Sequence, residues 1–169
     1  MALFNEADVR AAGRSATSYR RARDILLAES KEYSARKTYD VFVSHSFSDA
    51  ELILGVKKLI EGLGHSVYLD YVEDAEMDRN LVTAATAERL RVRMNSSRSL
   101  FFAVTENSTT SKWMPWELGY FDGAKHRAAV LPIVASRGRG DTYGGQEYLG
   151  LYPYAVNGDQ LWIHRSEKV

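Results

Sequence analysis

The sequence predicts an α/β fold: one parallel, doubly wound, five-stranded sheet with an added N-terminal helical segment. Three observations lead there. Short apolar or β-branched runs recur, and segments of helical periodicity lie between them. One run, Leu100 to Val104 (LFFAV), is apolar at every position, as suits a parallel strand covered on both faces. The 169 residues, 45% apolar and 26% charged, suffice for one globular domain with a full core.

Residues 1–37 read as a helical extension, with Tyr19, Ala22, Ile25, Leu26 and Tyr33 at helical spacing. The segment could be an arm that binds a partner or a helix packed on the domain's own flank. Packing is preferred, because Arg20, Arg21 and Arg23 suit a solvated face. Residues 38–169 form the α/β domain. Tyr39 to Val43 (YDVFV) is the first strand, and Ser44 to Asp49 a polar loop. Ser48 and Glu51 have the spacing of a capping box, and Leu52, Val56, Leu59, Ile60 and Leu63 share one helical face that Gly64 ends. Val67 to Leu69 is the second strand, followed by an acidic loop over 71–80. Leu81 to Asn95 reads as a helix, Leu100 to Val104 as the third strand, and the polar loop from Thr105 to Ser111 enters a helix running to about His126. Ala128 to Val134 (AAVLPIV) is the fourth strand. The stretch around Pro153 reads as irregular, and Leu161 to Ile163 as a short fifth strand.

Composition removes several function classes. Twenty-two basic side chains balance 22 acidic ones, so the general charge argument for a nucleic-acid or membrane-surface protein is absent. The chain has no cysteine, hence no disulfide, thiol nucleophile or cysteine-held metal. No apolar run approaches the ~20 residues that span a bilayer. The N-terminus lacks an apolar signal core, and Glu6, Asp8 and Asp24 argue against a transit peptide, so a cytoplasmic protein is expected. The glycine fingerprints of dinucleotide folds and P-loop NTPases and the elbow of serine hydrolases are missing. His45, His65, His126 and His164 are scattered, none with a metal-type partner at i+4, and no metal is expected.

In open α/β sheets, ligands bind beyond the carboxyl ends of the strands. Ser44–Asp49, Asp70–Asn80 and Thr105–Ser111 leave such ends, and the last leads into Ser111-Lys112-Trp113-Met114-Pro115-Trp116-Glu117-Leu118-Gly119-Tyr120. Ser111 can cap that helix. Pro115 fits only near a helix start, which sets Glu117 in the first turns. Trp113 and Glu117, four apart, share a face that Tyr120 continues. A glutamate there could be catalytic, or could merely complement the helix dipole beside core tryptophans.

Together these segments resemble the Toll/interleukin-1 receptor (TIR) family, whose fold is flavodoxin-like. YDVFVSHSFSDAE is similar to the family's opening strand and loop, GLGHSVYLD to the strand entering its BB loop, and MNSSRSLFFAVTENSTTSKWMPWEL to its signature stretch, in which a helix ends in "SR" before an apolar strand, a serine-rich loop and a Trp-x-x-x-Glu motif. The resemblance covers Tyr39 to Val134, and more weakly the chain to Ile163. The chain departs from the pattern in having Met114 where the family often has cysteine, and no glycine in 71–80.

The resemblance implies cleavage of the nicotinamide–ribose bond of NAD, with NAD as substrate and no cofactor. It assigns Glu117 as the catalytic carboxylate, Trp113 as its aromatic partner, Ser44, His45 and Ser46 beside the nucleotide, and Asp70 and Tyr71 at the start of the covering loop. Loss of nicotinamide leaves an oxocarbenium-like ribose that a carboxylate stabilises and an aromatic wall shields from water. Capture by water gives ADP-ribose, and capture by a group of the same molecule gives a cyclic isomer. The resemblance also implies TIR–TIR self-association and a signal-generating role in bacterial antiviral defence, feeding a separate effector. Two alternatives stand beside it: a non-enzymatic TIR adaptor, and an enzyme like the nucleoside deoxyribosyltransferases with Glu117 as covalent nucleophile.

Overall fold

The structure, a computed structural model, describes residues 1–18, 20–31, 37–45, 50–69, 83–105, 113–135, 142–144 and 147–165, without the side chains of residues 30 and 31. Its described elements are β1 (Phe4–Asn5), α1 (Glu6–Ser15), α2 (Ala22–Lys31), β2 (Tyr39–Ser44), α3 (Ala50–Gly62), β3 (Val67–Leu69), α4 (Ala84–Asn95), β4 (Ser97–Val104), α5 (Trp113–Lys125), β5 (Ala128–Val134), a 3-10 turn (Glu147–Leu151), β6 (Tyr154–Asn157) and β7 (Leu161–His164). The strands make one sheet in the order β3-β2-β4-β5-β6-β7, with β1 beside the end of β5.

From β2 to β6 every pairing is parallel, and the order β3-β2-β4-β5-β6 is the flavodoxin-like 2-1-3-4-5 arrangement. Strand alternation divides the core into two layers. Val41, Val43, Phe101 and Ala103 face α1, α2 and α3 with Leu52, Val56 and Ile60. Phe42, Leu100 and Phe102 face α4 and α5 with Met94, Met114, Leu118 and Phe121. The backbone reverses after α3 at Gly64, whose φ of 89° is the left-handed geometry that glycine adopts without strain.

The sheet has two strands beyond the expected five. β1 is too short for any periodicity to reveal, and residues 1–37 are therefore not purely helical. It pairs Phe4 with Ile133 and Asn5 with Val134, while Ala2 bridges Asn157. The N-terminus thus fills the gap where β5 and β6 diverge. Asn5 then caps α1 by accepting from the Ala7 N–H at 3.0 Å. The other addition is β6, in the stretch expected to be irregular. Pro153 stands just outside it and contributes its carbonyl to the Val130 N–H at 2.8 Å, so its missing N–H costs no ladder bond. β7 is antiparallel to β6 rather than a fifth parallel strand, because only three residues, 158–160, connect them.

α1 packs on α3, and two glycines allow the close approach. A Cβ at Gly13 would lie 2.2 Å from the Glu51 carbonyl oxygen, and one at Gly55 only 1.9 Å from that of Val9. Arg14 adds an ion pair to the Glu51 carboxylate at 2.9 Å. Glu51 therefore faces α1, and Ser48, its expected capping partner, lies outside the described residues. Thr83 caps α4, which begins at Ala84 rather than Leu81; residues 81 and 82 are likewise outside. The expected helix-ending "SR", Ser97-Arg98, opens β4 instead. The Ser96 and Ser97 hydroxyls both donate to the Arg93 carbonyl, so α4 passes into the strand without a loop.

Candidate active site

In this strand order the switch point lies between β2 and β4, at their carboxyl ends. Ser44 is the last residue of β2, and His45 follows it. From the far side, α5 brings its first turns to the same point. Trp113 is its first residue, and Pro115 its third, where a missing N–H breaks no helical bond. Glu117 follows on the inward face. Ser111, the expected cap, lies outside the described residues.

Ser44 and Glu117 meet directly. The Ser44 hydroxyl donates to Glu117 Oε2 across 73 positions of sequence, and the two residues are 1% and 4% exposed. Of the expected site residues, Ser44, His45, Trp113 and Glu117 are all buried. Ser46, Asp70 and Tyr71 lie outside the described residues. A buried carboxylate is costly unless bonded. Here the Ser44 hydroxyl supplies such a bond to Glu117.

The aromatic residues divide differently from the expected stripe. Trp113 shares the buried face with Glu117, but Tyr120 does not continue it. Tyr120 stacks on Trp116, with ring centroids 5.7 Å apart and planes 16° from parallel, and Trp116 meets Trp113 edge-on at 5.4 Å. The Arg91 guanidinium of α4 lies over both outer rings, 5.5 Å from Trp116 and 6.0 Å from Tyr120. The i, i+4 spacing of Trp116 and Tyr120 is the sequence signal for this stack. It braces α5 against α4 and leaves Glu117 to the strand side.

Asp40, in the same opening strand, serves the opposite end of the sheet. It accepts from the Ser66 N–H at 2.9 Å and the Ser66 hydroxyl at 2.7 Å, and pairs with Arg98 at 3.2 Å. The Ser66 backbone and side-chain bonds hold its carboxyl below the usual range. Asp40 thus ties β3, β2 and β4 together at the end of β2 opposite Ser44 and His45. Among the described residues, no three His, Asp or Glu side chains cluster to hold a metal ion, and no helix is long and apolar enough to cross a membrane.

No family model matches the chain. Among curated proteins it is 54% identical over 154 residues to "Probable 3' cyclic ADP-D-ribose synthase ThsB'" of Bacillus cereus (strain MSX-D12), covering 87% of this chain and 79% of that protein. The chain belongs to the bacterial Thoeris-like TIR proteins. A second TIR relative, "Putative cyclic ADP-D-ribose synthase TIR2" of Cytobacillus dafuensis, is 37% identical over 93 residues, which is 54% of this chain and 24% of that protein. The sheet order agrees with the TIR fold expected from the motifs. In this TIR protein the opening motif and the Trp-x-x-x-Glu motif are joined by the Ser44–Glu117 hydrogen bond.

Proposed function

We propose that the protein cleaves the nicotinamide–ribose bond of NAD and closes the remaining ADP-ribose into a cyclic product. The observation that carries this is Glu117: a buried carboxylate, bonded to Ser44, at the switch point of the sheet. The names of both relatives, cyclic ADP-D-ribose synthases, supply the chemical class.

The bond from the ribosyl carbon to the pyridinium nitrogen breaks heterolytically, and both its electrons leave with neutral nicotinamide. The ribosyl carbon becomes cationic. Glu117 stabilises that charge electrostatically from a site that excludes water. Ser44, by donating to Oε2, orients the carboxylate before the charge develops. Trp113 forms part of the apolar wall. A nucleophile of the same molecule then attacks the ribosyl carbon and loses its proton, which closes the ring; attack by water gives the linear product. His45 and Ser46 contact the nucleotide, and Asp70 and Tyr71 begin the loop over it. Self-association through TIR–TIR contacts and a separate effector that responds to the product complete the proposed role in bacterial antiviral defence.

The test is incubation of the purified protein with NAD, with and without a crowding agent, following nicotinamide release and separating cyclic from linear products. The expected outcome is cleavage that Glu117→Gln abolishes while thermal unfolding stays cooperative. A folded Glu117→Gln protein that cleaves NAD at the unsubstituted rate overturns the assignment.

A further inference from the structure

The placement of Glu117 depends on more than its bond to Ser44. On a helix, a residue's side-chain neighbours are those three and four positions away. For Glu117 these are Met114 and Phe121, both buried in the apolar layer under α5, and Trp113 and Tyr120, both part of the aromatic group along that helix. Packing against the sheet fixes the first pair. Trp113 has fewer contacts of this kind within its helix. It is the first residue of α5, so its helical neighbours lie on one side only, at 116 and 117.

The Trp113 ring meets Trp116 edge-on, and Trp116 stacks on Tyr120. Trp116 and Tyr120 are only half-buried, and what holds their rings comes from α4. Glu88, Arg91 and Asn95 recur at helical spacing on one face of that helix. The Arg91 guanidinium spans both rings, 5.5 Å from the Trp116 centroid and 6.0 Å from that of Tyr120. Glu88 pairs with the guanidinium at 3.2 Å, and Asn95 Oδ1 accepts from the Tyr120 hydroxyl at 3.3 Å. α4 and α5 already share the apolar layer of Leu90, Met94, Leu118 and Phe121. The polar clamp is added beside the turns that carry Trp113 and Glu117, and Arg91 is the member that touches both rings.

We infer, on the NAD reading proposed above, that Arg91 is a positioning residue for the reaction: acting through Trp116, it holds the Trp113 ring and the first turns of α5, so that the Glu117 carboxylate keeps its aim at the ribosyl carbon. A displacement of ~1 Å at a catalytic group costs as much as ~100-fold in rate, so a contact outside the site can govern turnover. Ser44 fixes the carboxylate by a bond of its own, whereas Arg91 fixes the helix that carries it.

The test is a double-variant cycle on initial rates of nicotinamide release by the full chain. Arg91→Met keeps the length of the side chain and removes its charge. It lowers kcat about two- to fivefold, the size of a cation–π contact at a half-exposed site, and leaves KM within about twofold. Arg91→Lys recovers part of the loss, because it returns the charge without the planar stack. Trp116→Leu removes the edge contact, the stack and the seat of the guanidinium together, and lowers kcat about tenfold or more. Adding Arg91→Met to Trp116→Leu costs no further rate, since the path from Arg91 to the site has already been cut. Near-UV circular dichroism without substrate reads the rings directly: the aromatic signal weakens in Arg91→Met and returns in part in Arg91→Lys. Gly55→Ala, which strains the α1 crossing on the opposite face of the sheet, is the control for general destabilisation and leaves kcat per folded molecule unchanged. An unchanged kcat in Arg91→Met, an effect on KM alone, full additivity with Trp116→Leu, or an equal loss in Gly55→Ala overturns the inference while NAD cleavage stands. An unsubstituted protein that leaves NAD intact overturns the proposed function and the inference with it.

Discussion

Ser44→Ala deletes one buried oxygen, and the way activity falls distinguishes two roles for it. The hydroxyl donates to Glu117 Oε2, and neither residue is more than 4% exposed, so water cannot replace the lost donor without rearrangement. A hydrogen bond to a charged group contributes about 1.5–3 kcal/mol. At ~1.4 kcal/mol per decade that is a loss of roughly 10- to 150-fold. With the hydroxyl fixing the Glu117 carboxylate for charge that appears only in the transition state, the loss falls on kcat and on kcat/KM alike, and KM hardly moves. A hydroxyl that only grips the nucleotide gives the opposite pattern, a raised KM with kcat preserved. Initial rates of nicotinamide release over a range of NAD concentrations separate the two. Ser44→Cys, a weaker donor of similar size, falls between Ser44 and Ala in kcat. The Ala protein also melts lower, by about 2–4 °C for each kcal/mol lost in a chain of this size. A KM-only effect, or a kcat within about twofold of the parent when at least tenfold is expected, refutes the positioning role.

Gly55→Ala sets two magnitudes against each other. Alanine gains ~1 kcal/mol of helix propensity, but its Cβ would meet the Val9 carbonyl oxygen at 1.9 Å, a backbone atom that cannot swing away. Overpacking at about 1–3 kcal/mol wins, and thermal melting should show destabilisation; a raised Tm contradicts the docking. Once α1 has been displaced, Gly13→Ala at the same crossing costs little more, so the double variant is less destabilised than the sum of the single ones in urea unfolding. Glu29→Gln changes the acid limb of stability. Burial pushes the Glu29 carboxyl up, but Lys57 and Lys58, at 3.0 and 3.1 Å, together pull it below its ordinary value of 4.5. Its contribution is therefore full above that value and is lost as pH falls through the depressed one. Urea unfolding at neutral and acid pH should show Glu29→Gln less stable by ~1 kcal/mol at neutral pH, with the difference shrinking as pH falls below the ordinary carboxyl value.

Much of the site was legible locally. The apolar runs at 39–43, 67–69, 100–104 and 128–134 are strands because a doubly covered parallel sheet needs such sequences, and their order pointed to the carboxyl ends of the strands, where Ser44 and Glu117 meet. Pro115 and the helical pattern after it set Glu117 in an early turn. The elements that escaped local reading are held by distant partners. β1 is a strand only because Ile133 and Val134 accept it, and β6 follows a proline that its neighbour tolerates. Gly13 and Gly55, 42 positions apart, give no local sign that they cross.

By itself the sequence determined the fold class, the motif residues at the strand ends and the position of Glu117 within its helix, since all three depend on periodicity, turn chemistry and the backbone limits of single residues. The tertiary structure alone decided that Glu117 turns inward, that it accepts a hydrogen bond from Ser44, and that residues 4 and 5 join the sheet beside β5. Those facts belong to pairs of residues brought together by the packing of separate elements, and no local pattern encodes such a pair.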